Sequence, residues 1–204
     1  MFRSARYLLL ATAAISLTAT LVACGGGSSS SSVYEGLELA KTVAVPNATL
    51  TNTSNQEVNL PTLAKGKLTL VYFGYTNCPD ICPTTMADLN TALGQLTDAQ
   101  RAETQVVFIT TDPKDDTLPV LRKWLDGFNT SFIGLRSSLV DIQATAAKLG
   151  VVAEDPTTDD QGHVTDTHGA QVMAFSPSDS LARLVWTAGT TPSQYAHDIR
   201  LLLA

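Results

Sequence analysis

Apolar positions along this chain fall into short runs broken by polar, glycine- and proline-bearing stretches, and their spacing predicts strands alternating with helices. Leu68-Thr69-Leu70-Val71-Tyr72-Phe73-Gly74-Tyr75 is continuous, β-branched and aromatic, the pattern of an interior strand. Gln105-Val106-Val107-Phe108-Ile109-Thr110 predicts a second. Between them Met86, Leu89, Leu93 and Leu96 recur at helical spacing, and Pro83 suits a first helical position. Upstream, residues 48–52 and 57–60 flank the turn-forming Thr53-Ser54-Asn55-Gln56 and predict a hairpin. Downstream, residues 118–128 read as a helix, with Asp112 and Asp116 as its expected caps. A short strand at 131–133, a helix at 139–149, a hairpin from 171–175 and 181–186, and a closing helix at 193–203 complete the pattern. Met173, Trp124 and Trp186 fall on core positions of these elements. Strands alternating with helices before a final hairpin and helix give an α/β fold with a mixed sheet.

The first 34 residues have a different character. Arg3 and Arg6 give a basic start, and residues 7–22 form an apolar run too short and Thr-rich to read as a membrane span. The run ends in Leu21-Val22-Ala23-Cys24, followed by Gly25 to Gly27 and Ser28 to Ser32. This stretch resembles a bacterial lipoprotein signal with its lipobox, which implies cleavage before Cys24 and lipidation of its sulfur. Several acyl chains anchor firmly where one would be marginal. On this reading residues 1–23 are the signal peptide, 24–34 a lipid-anchored Gly/Ser tether, and 35–204 one folded domain on the extracytoplasmic (periplasmic or cell-surface) side of a membrane. Removing Arg3 and Arg6 from the 13 basic residues leaves 11 against 19 acidic, a net charge of −8. Such a domain is ill suited to nucleic acid and better suited to a cation or a basic partner.

The chemistry is concentrated in Cys78-Pro79-Asp80-Ile81-Cys82-Pro83, where the first interior strand turns into a helix. Unused N–H groups and the macrodipole at a helix start favour thiolate, the form that attacks disulfides and binds soft metals. In an oxidising compartment such a pair closes into a disulfide unless it is reduced or metallated. A Cys-bearing helix after the first long strand resembles the thioredoxin-like arrangement: a mixed central sheet flanked by helices, here with an N-terminal β-hairpin extension. Two features depart from thioredoxins. Three residues separate the thiols, and Thr167-His168-Gly169-Ala170-Gln171 carries no proline where thioredoxins have a cis-proline.

Gly74 to Met86, with its C-P-D-I-C-P centre, resembles the signature of the Sco/SenC family, thioredoxin-fold copper proteins that serve cytochrome c oxidase assembly. Thr110-Thr111-Asp112-Pro113-Lys114-Asp115-Asp116-Thr117 resembles that family's D-P-x-x-D-T segment, and His168 falls at its histidine ligand. The resemblance runs from about residue 48 to 204, with Thr167 standing where the family usually has Asp. It implies copper held by Cys78, Cys82 and His168, and a metallochaperone assisting assembly of the CuA centre. The partner would be the oxidase subunit carrying CuA, or another copper or thiol protein. Two thiolates and an imidazole suit Cu(I) and accommodate Cu(II). Structural zinc wants a fourth ligand, and none is evident. His163 competes with His168 for the nitrogen position, but His168 directly precedes a core strand, and His197 reads as surface or packing.

No substrate bond is broken in this function, so no enzyme is implied. The alternative is an extracytoplasmic thiol–disulfide oxidoreductase cycling Cys78 and Cys82. A peroxidase of the peroxiredoxin type fits less well, since Tyr75-Thr76-Asn77 before Cys78 lacks that motif. Residues 150–169, bearing Glu154, Asp155, Asp159, Asp160 and Asp166, are expected to form a flexible acidic loop over the site that faces a basic partner.

Overall fold

The computed structural model describes residues 33–154, 157–158, 164–165 and 169–204. Its strands are β1 (Leu37–Ala44), β2 (Thr49–Asn52), β3 (Glu57–Asn59), β4 (Leu68–Gly74), β5 (Thr104–Thr110), β6 (Ile133–Arg136), β7 (Thr157–Thr158), β8 (Val164–Thr165), β9 (Val172–Phe175) and β10 (Leu181–Trp186). Its helices are α1 (Leu60–Ala64), α2 (Ile81–Gly94), α3 (Asp98–Glu103), α4 (Leu118–Asp126), α5 (Leu139–Lys148) and α6 (Pro192–Leu202). Eight strands make one sheet in the order β1-β10-β9-β4-β5-β6-β2-β3. The central β4 pairs parallel with β5, which pairs parallel with β6, and antiparallel with β9 on its other side.

Alternation along the two central strands divides the interior. Leu68, Leu70 and Tyr72 of β4, with Val106 and Phe108 of β5, pack beneath α2, α4 and α6 against Met86, Leu89, Leu121 and Ile199. Val71, Phe73, Val107 and Ile109 face the other way, onto Leu60 of α1 and Ile142 and Ala146 of α5. Both faces of β4 are covered, which is why its seven residues read as an unbroken apolar run.

Most expected elements are present, with shifts. The strand expected at 131–133 begins at Ile133, and α2 begins at Ile81, two residues before Pro83. Pro83 is therefore the third helical residue, still in the first turn, where its missing N–H is no loss. The edge strand β1, the five-residue helix α1 and the short polar helix α3 have no counterpart in the sequence pattern. The acidic segment also has structure of its own, since β7 pairs antiparallel with β8. Asp155, Asp159, Asp160 and Asp166, and with them the expected acidic loop over the site, lie outside the described residues. Among the described residues no helix is long and apolar enough to cross a membrane.

The chain comes into this fold at the edge strand β1, on the end of the sheet where β4 finishes. Leu37 pairs with Val185, Val185 with Met173, and Met173 with Val71, so residues before Leu37 run toward the end of the sheet from which Cys78 follows. Fully buried Asp198 of α6 clamps this point, accepting hydrogen bonds from the Glu35 and Gly36 backbone N–H groups (2.9 and 2.8 Å) and from Trp186 Nε1 (2.8 Å). An added Cβ at Gly36 would lie 2.7 Å from Trp186 Cδ1, so the approach of chain to indole requires glycine there.

Candidate metal centre

Past Gly74 the chain makes a tight turn, closed by the Cys78 N–H donating to the Tyr75 carbonyl at 3.3 Å, and then enters α2. Asp80, the residue preceding the helix, makes no capping hydrogen bond with its side chain. Cys78 takes that place: its Sγ accepts the Cys82 N–H at 3.4 Å, one of the first-turn groups that has no partner within the helix. Negative charge on this sulfur would also face the positive end of the helix. Of the two sulfurs, it is that of the half-buried Cys78 that stands over the helix start.

Cys82 behaves differently. It is fully buried, and desolvation pushes its thiol up to about 12, while hydrogen bonds from Tyr72 and the Tyr75 backbone act in the opposite direction. Burial thus outweighs the helix field, and the expectation that both thiols are primed as thiolates is corrected for Cys82. Tyr72 Oη donates to Cys82 Sγ at 3.5 Å, and burial, reinforced by Cys82, raises the phenol well above its ordinary range. The pair is thus one half-exposed sulfur on a helix terminus and one enclosed sulfur whose proton is retained by burial. No disulfide joins the two sulfurs in this structure.

The enclosure is tight because position 74 has no side chain. A Cβ on Gly74 would lie 2.8 Å from Cys82 Sγ, 2.8 Å from Tyr72 Cε1 and 3.2 Å from Phe108 Cε2. Pro79, Asp80 and Ile81 are exposed on the outside of the turn. Beside them lies a cavity of about 180 Å³, lined in part by Asp80, Ile81, Thr84, Asp88, Thr190 and Tyr195.

Asp112 and Asp116 are not caps of α4, as the sequence pattern had suggested. That helix is capped by Thr117, which accepts from the Val120 N–H at 3.5 Å. Asp112 is buried and accepts the Asp115 N–H at 3.4 Å within the loop. Asp116 is buried too, and reaches across to Thr76 in the thiol turn. Tyr72 and Asp116 are the site neighbours that residue patterns alone did not single out. The available hints were a phenol inside a fully buried strand and the D-P-x-x-D-T motif.

His168, the expected third ligand, lies outside the described residues, as do His163 and Cys24. The chain resumes at Gly169, whose N–H donates to the Val152 carbonyl at 2.9 Å, and β9 then pairs Val172 with Tyr72. Among the described residues no group of three or more His, Cys, Asp or Glu is arranged to hold a metal. His197 is on α6, half-exposed, with Nδ1 2.9 Å from Asp198 Oδ1. No cis peptide bond occurs among the described residues, in keeping with the missing proline.

A thioredoxin-like sheet with a dithiol at the junction of its central strand and first long helix defines the class. The chain belongs to the SCO1/SenC family, whose sequence profile matches residues 40–204. A protein of Stutzerimonas stutzeri, provisionally named a copper-binding protein, is 34% identical over 145 residues, covering 71% of this chain and 70% of that one. ScoI of Bradyrhizobium japonicum, solved with copper bound, is similar with a TM-score of 0.69 at 26% identity, over 78% of this chain and 99% of that one. Apo Sco1 of Thermus thermophilus gives 0.72 at 25% identity, over 83% and 96% of the two chains.

Proposed function

We propose that this chain is a membrane-anchored copper chaperone that holds copper through Cys78, Cys82 and His168 and passes it to the CuA centre of cytochrome c oxidase. The observation that carries the reading is the asymmetric dithiol: Cys78 Sγ on the Cys82 N–H, with Cys82 sealed behind it between Tyr72 and Gly74. Two sulfurs so placed match the soft-donor preference of Cu(I). Metal binding would release the Cys82 proton that burial otherwise retains. His168, three residues ahead of Gln171 and four ahead of β9, is supported as the nitrogen ligand because that strand is laid against the thiol-bearing end of β4. Copper is cargo in this scheme, and no bond of a substrate is made or broken.

Anchoring through lipidated Cys24 on the extracytoplasmic side is part of the proposal. It is supported by the lipobox-like sequence and by the chain entering the domain on the same end of the sheet as the thiols. Such a tether would keep the copper-bearing end near a membrane-bound acceptor. The alternative is a thiol–disulfide oxidoreductase that prepares the acceptor's cysteines, supported by a half-exposed Cys78 ahead of the enclosed Cys82. A strain carrying His168→Ala separates the two. The chaperone reading expects loss of oxidase activity, restored by added copper, with dithiol–disulfide cycling of the purified variant intact. Unimpaired oxidase activity in that strain would favour the oxidoreductase.

A further inference from the structure

Asp116 is 1% exposed, yet it belongs to neither hydrophobic layer and caps no helix. Its carboxylate is spent on two threonines. Oδ1 accepts the Thr76 hydroxyl at 2.5 Å, Oδ2 accepts the Thr110 hydroxyl at 2.5 Å, and the Thr76 N–H donates to the same carboxylate at 3.1 and 3.3 Å. Thr110 ends β5, and the next residue, Thr111, donates its N–H to the Gly74 carbonyl at 2.7 Å. Thr76 is the second residue of the Tyr75–Cys78 turn. Asp116 and the end of β5 therefore grip the turn at the residue two before Cys78, and that turn carries the Cys78 sulfur onto the Cys82 N–H.

Burying a carboxylate among neutral donors is costly, and desolvation accordingly raises its pKa against the opposing pull of Thr110 and Thr76. A hydrophobic residue of similar size would fill the space without that cost, but could not hold the Thr76 N–H and hydroxyl together.

We infer that Asp116 is a positioning residue for the dithiol: through Thr76 it sets where the Cys78 sulfur stands over the start of α2. This rests on the copper reading for its first readout only, since the second uses the thiols alone. The test takes the full chain, reduced, as wild type, Asp116→Ala, Asp116→Asn and Thr76→Val. Ile142→Val, in the opposite layer, serves as a control that lowers stability without touching the turn. Cu(I) affinity is measured by competition with a chromophoric chelator. The dithiol–disulfide ratio is measured in glutathione buffers, and thermal melting is followed throughout.

Asp116→Ala is expected to weaken Cu(I) binding roughly tenfold, the usual scale for removing an outer support of a metal site. It is also expected to move the thiol equilibrium roughly threefold toward disulfide, because the dithiol form loses a held sulfur–N–H contact. Asp116→Asn, which keeps one acceptor, and Thr76→Val should fall between, while Ile142→Val should leave both readouts at wild-type values. If Asp116→Ala does not fold, Asp116→Asn and Thr76→Val decide by the same criteria. Variants within twofold of wild type on both readouts, or the same changes in Ile142→Val, overturn the assignment. If wild type itself binds no Cu(I), the copper reading fails and the glutathione equilibrium alone judges Asp116.

Discussion

The closest steric constraint on the dithiol is Gly74, and Gly74→Ala measures it. The added methyl would meet Cys82 Sγ and Tyr72 Cε1 at 2.8 Å each, well inside contact distance, and Phe108 Cε2 at 3.2 Å. All three neighbours are fully buried, so relief must come from moving packed groups. Overpacking of this kind costs about 1–3 kcal/mol. Alanine recovers about 0.5–1 kcal/mol by restricting the unfolded chain, leaving a net loss of about 1–2 kcal/mol. For a domain of this size that is a fall in melting temperature of about 3–6 °C. The decisive assay is a double-mutant cycle with Cys82→Ala in urea denaturation of reduced protein. Removing the sulfur removes one of the two worst contacts, so the cost of Gly74→Ala should drop, with a coupling of about 1 kcal/mol. An equal cost in both backgrounds, or no cost in either, would show that the Cys82 sulfur does not sit against position 74.

Two further predictions concern buried ionisable groups. The folded state holds the Cys82 proton more tightly than the unfolded state does, with its thiol pushed up to about 12. That contribution is full below the ordinary thiol range and is lost as pH climbs toward 12. Between about pH 8 and pH 10, reduced wild type should lose about 1.5–2 kcal/mol more than Cys82→Ala in urea denaturation, and parallel pH profiles would refute the burial argument. Asp198→Ala should cost about 3 kcal/mol, since it leaves the Trp186 N–H and two backbone N–H groups without their acceptor. It should also expose the chain at Glu35 to a Glu-specific protease, and unchanged melting with unchanged cleavage would mean that the clamp contributes nothing.

How much of this was legible in the sequence depends on whether neighbours in space were also neighbours in the chain. β4, β5, α2 and both hairpins announced themselves because each carries its own periodicity and punctuation. β1 did not: Leu37–Ala44 is an edge strand with most residues exposed, so no alternation of apolar and polar residues marks it. α3 is six residues with none buried and is held by its Thr97 capping box, which leaves no hydrophobic stripe to read. The two thiols and their helix-start setting followed from local order, but the split between them did not, because the enclosure of Cys82 depends on Tyr72 and Gly74 of the preceding strand. Asp116 was misread as a cap for the same reason. Its partner Thr76 is 40 residues away and arrives only through the parallel pairing of β4 with β5.

Copper titration of the reduced protein tests the central claim most directly, with wild type, Cys78→Ser, Cys82→Ser and His168→Ala compared by absorption and metal analysis. The account predicts one copper per wild-type chain, no stoichiometric binding in either cysteine variant or in the oxidised disulfide, and sharply weakened binding in His168→Ala. Wild-type stoichiometry and spectrum in either cysteine variant would contradict it.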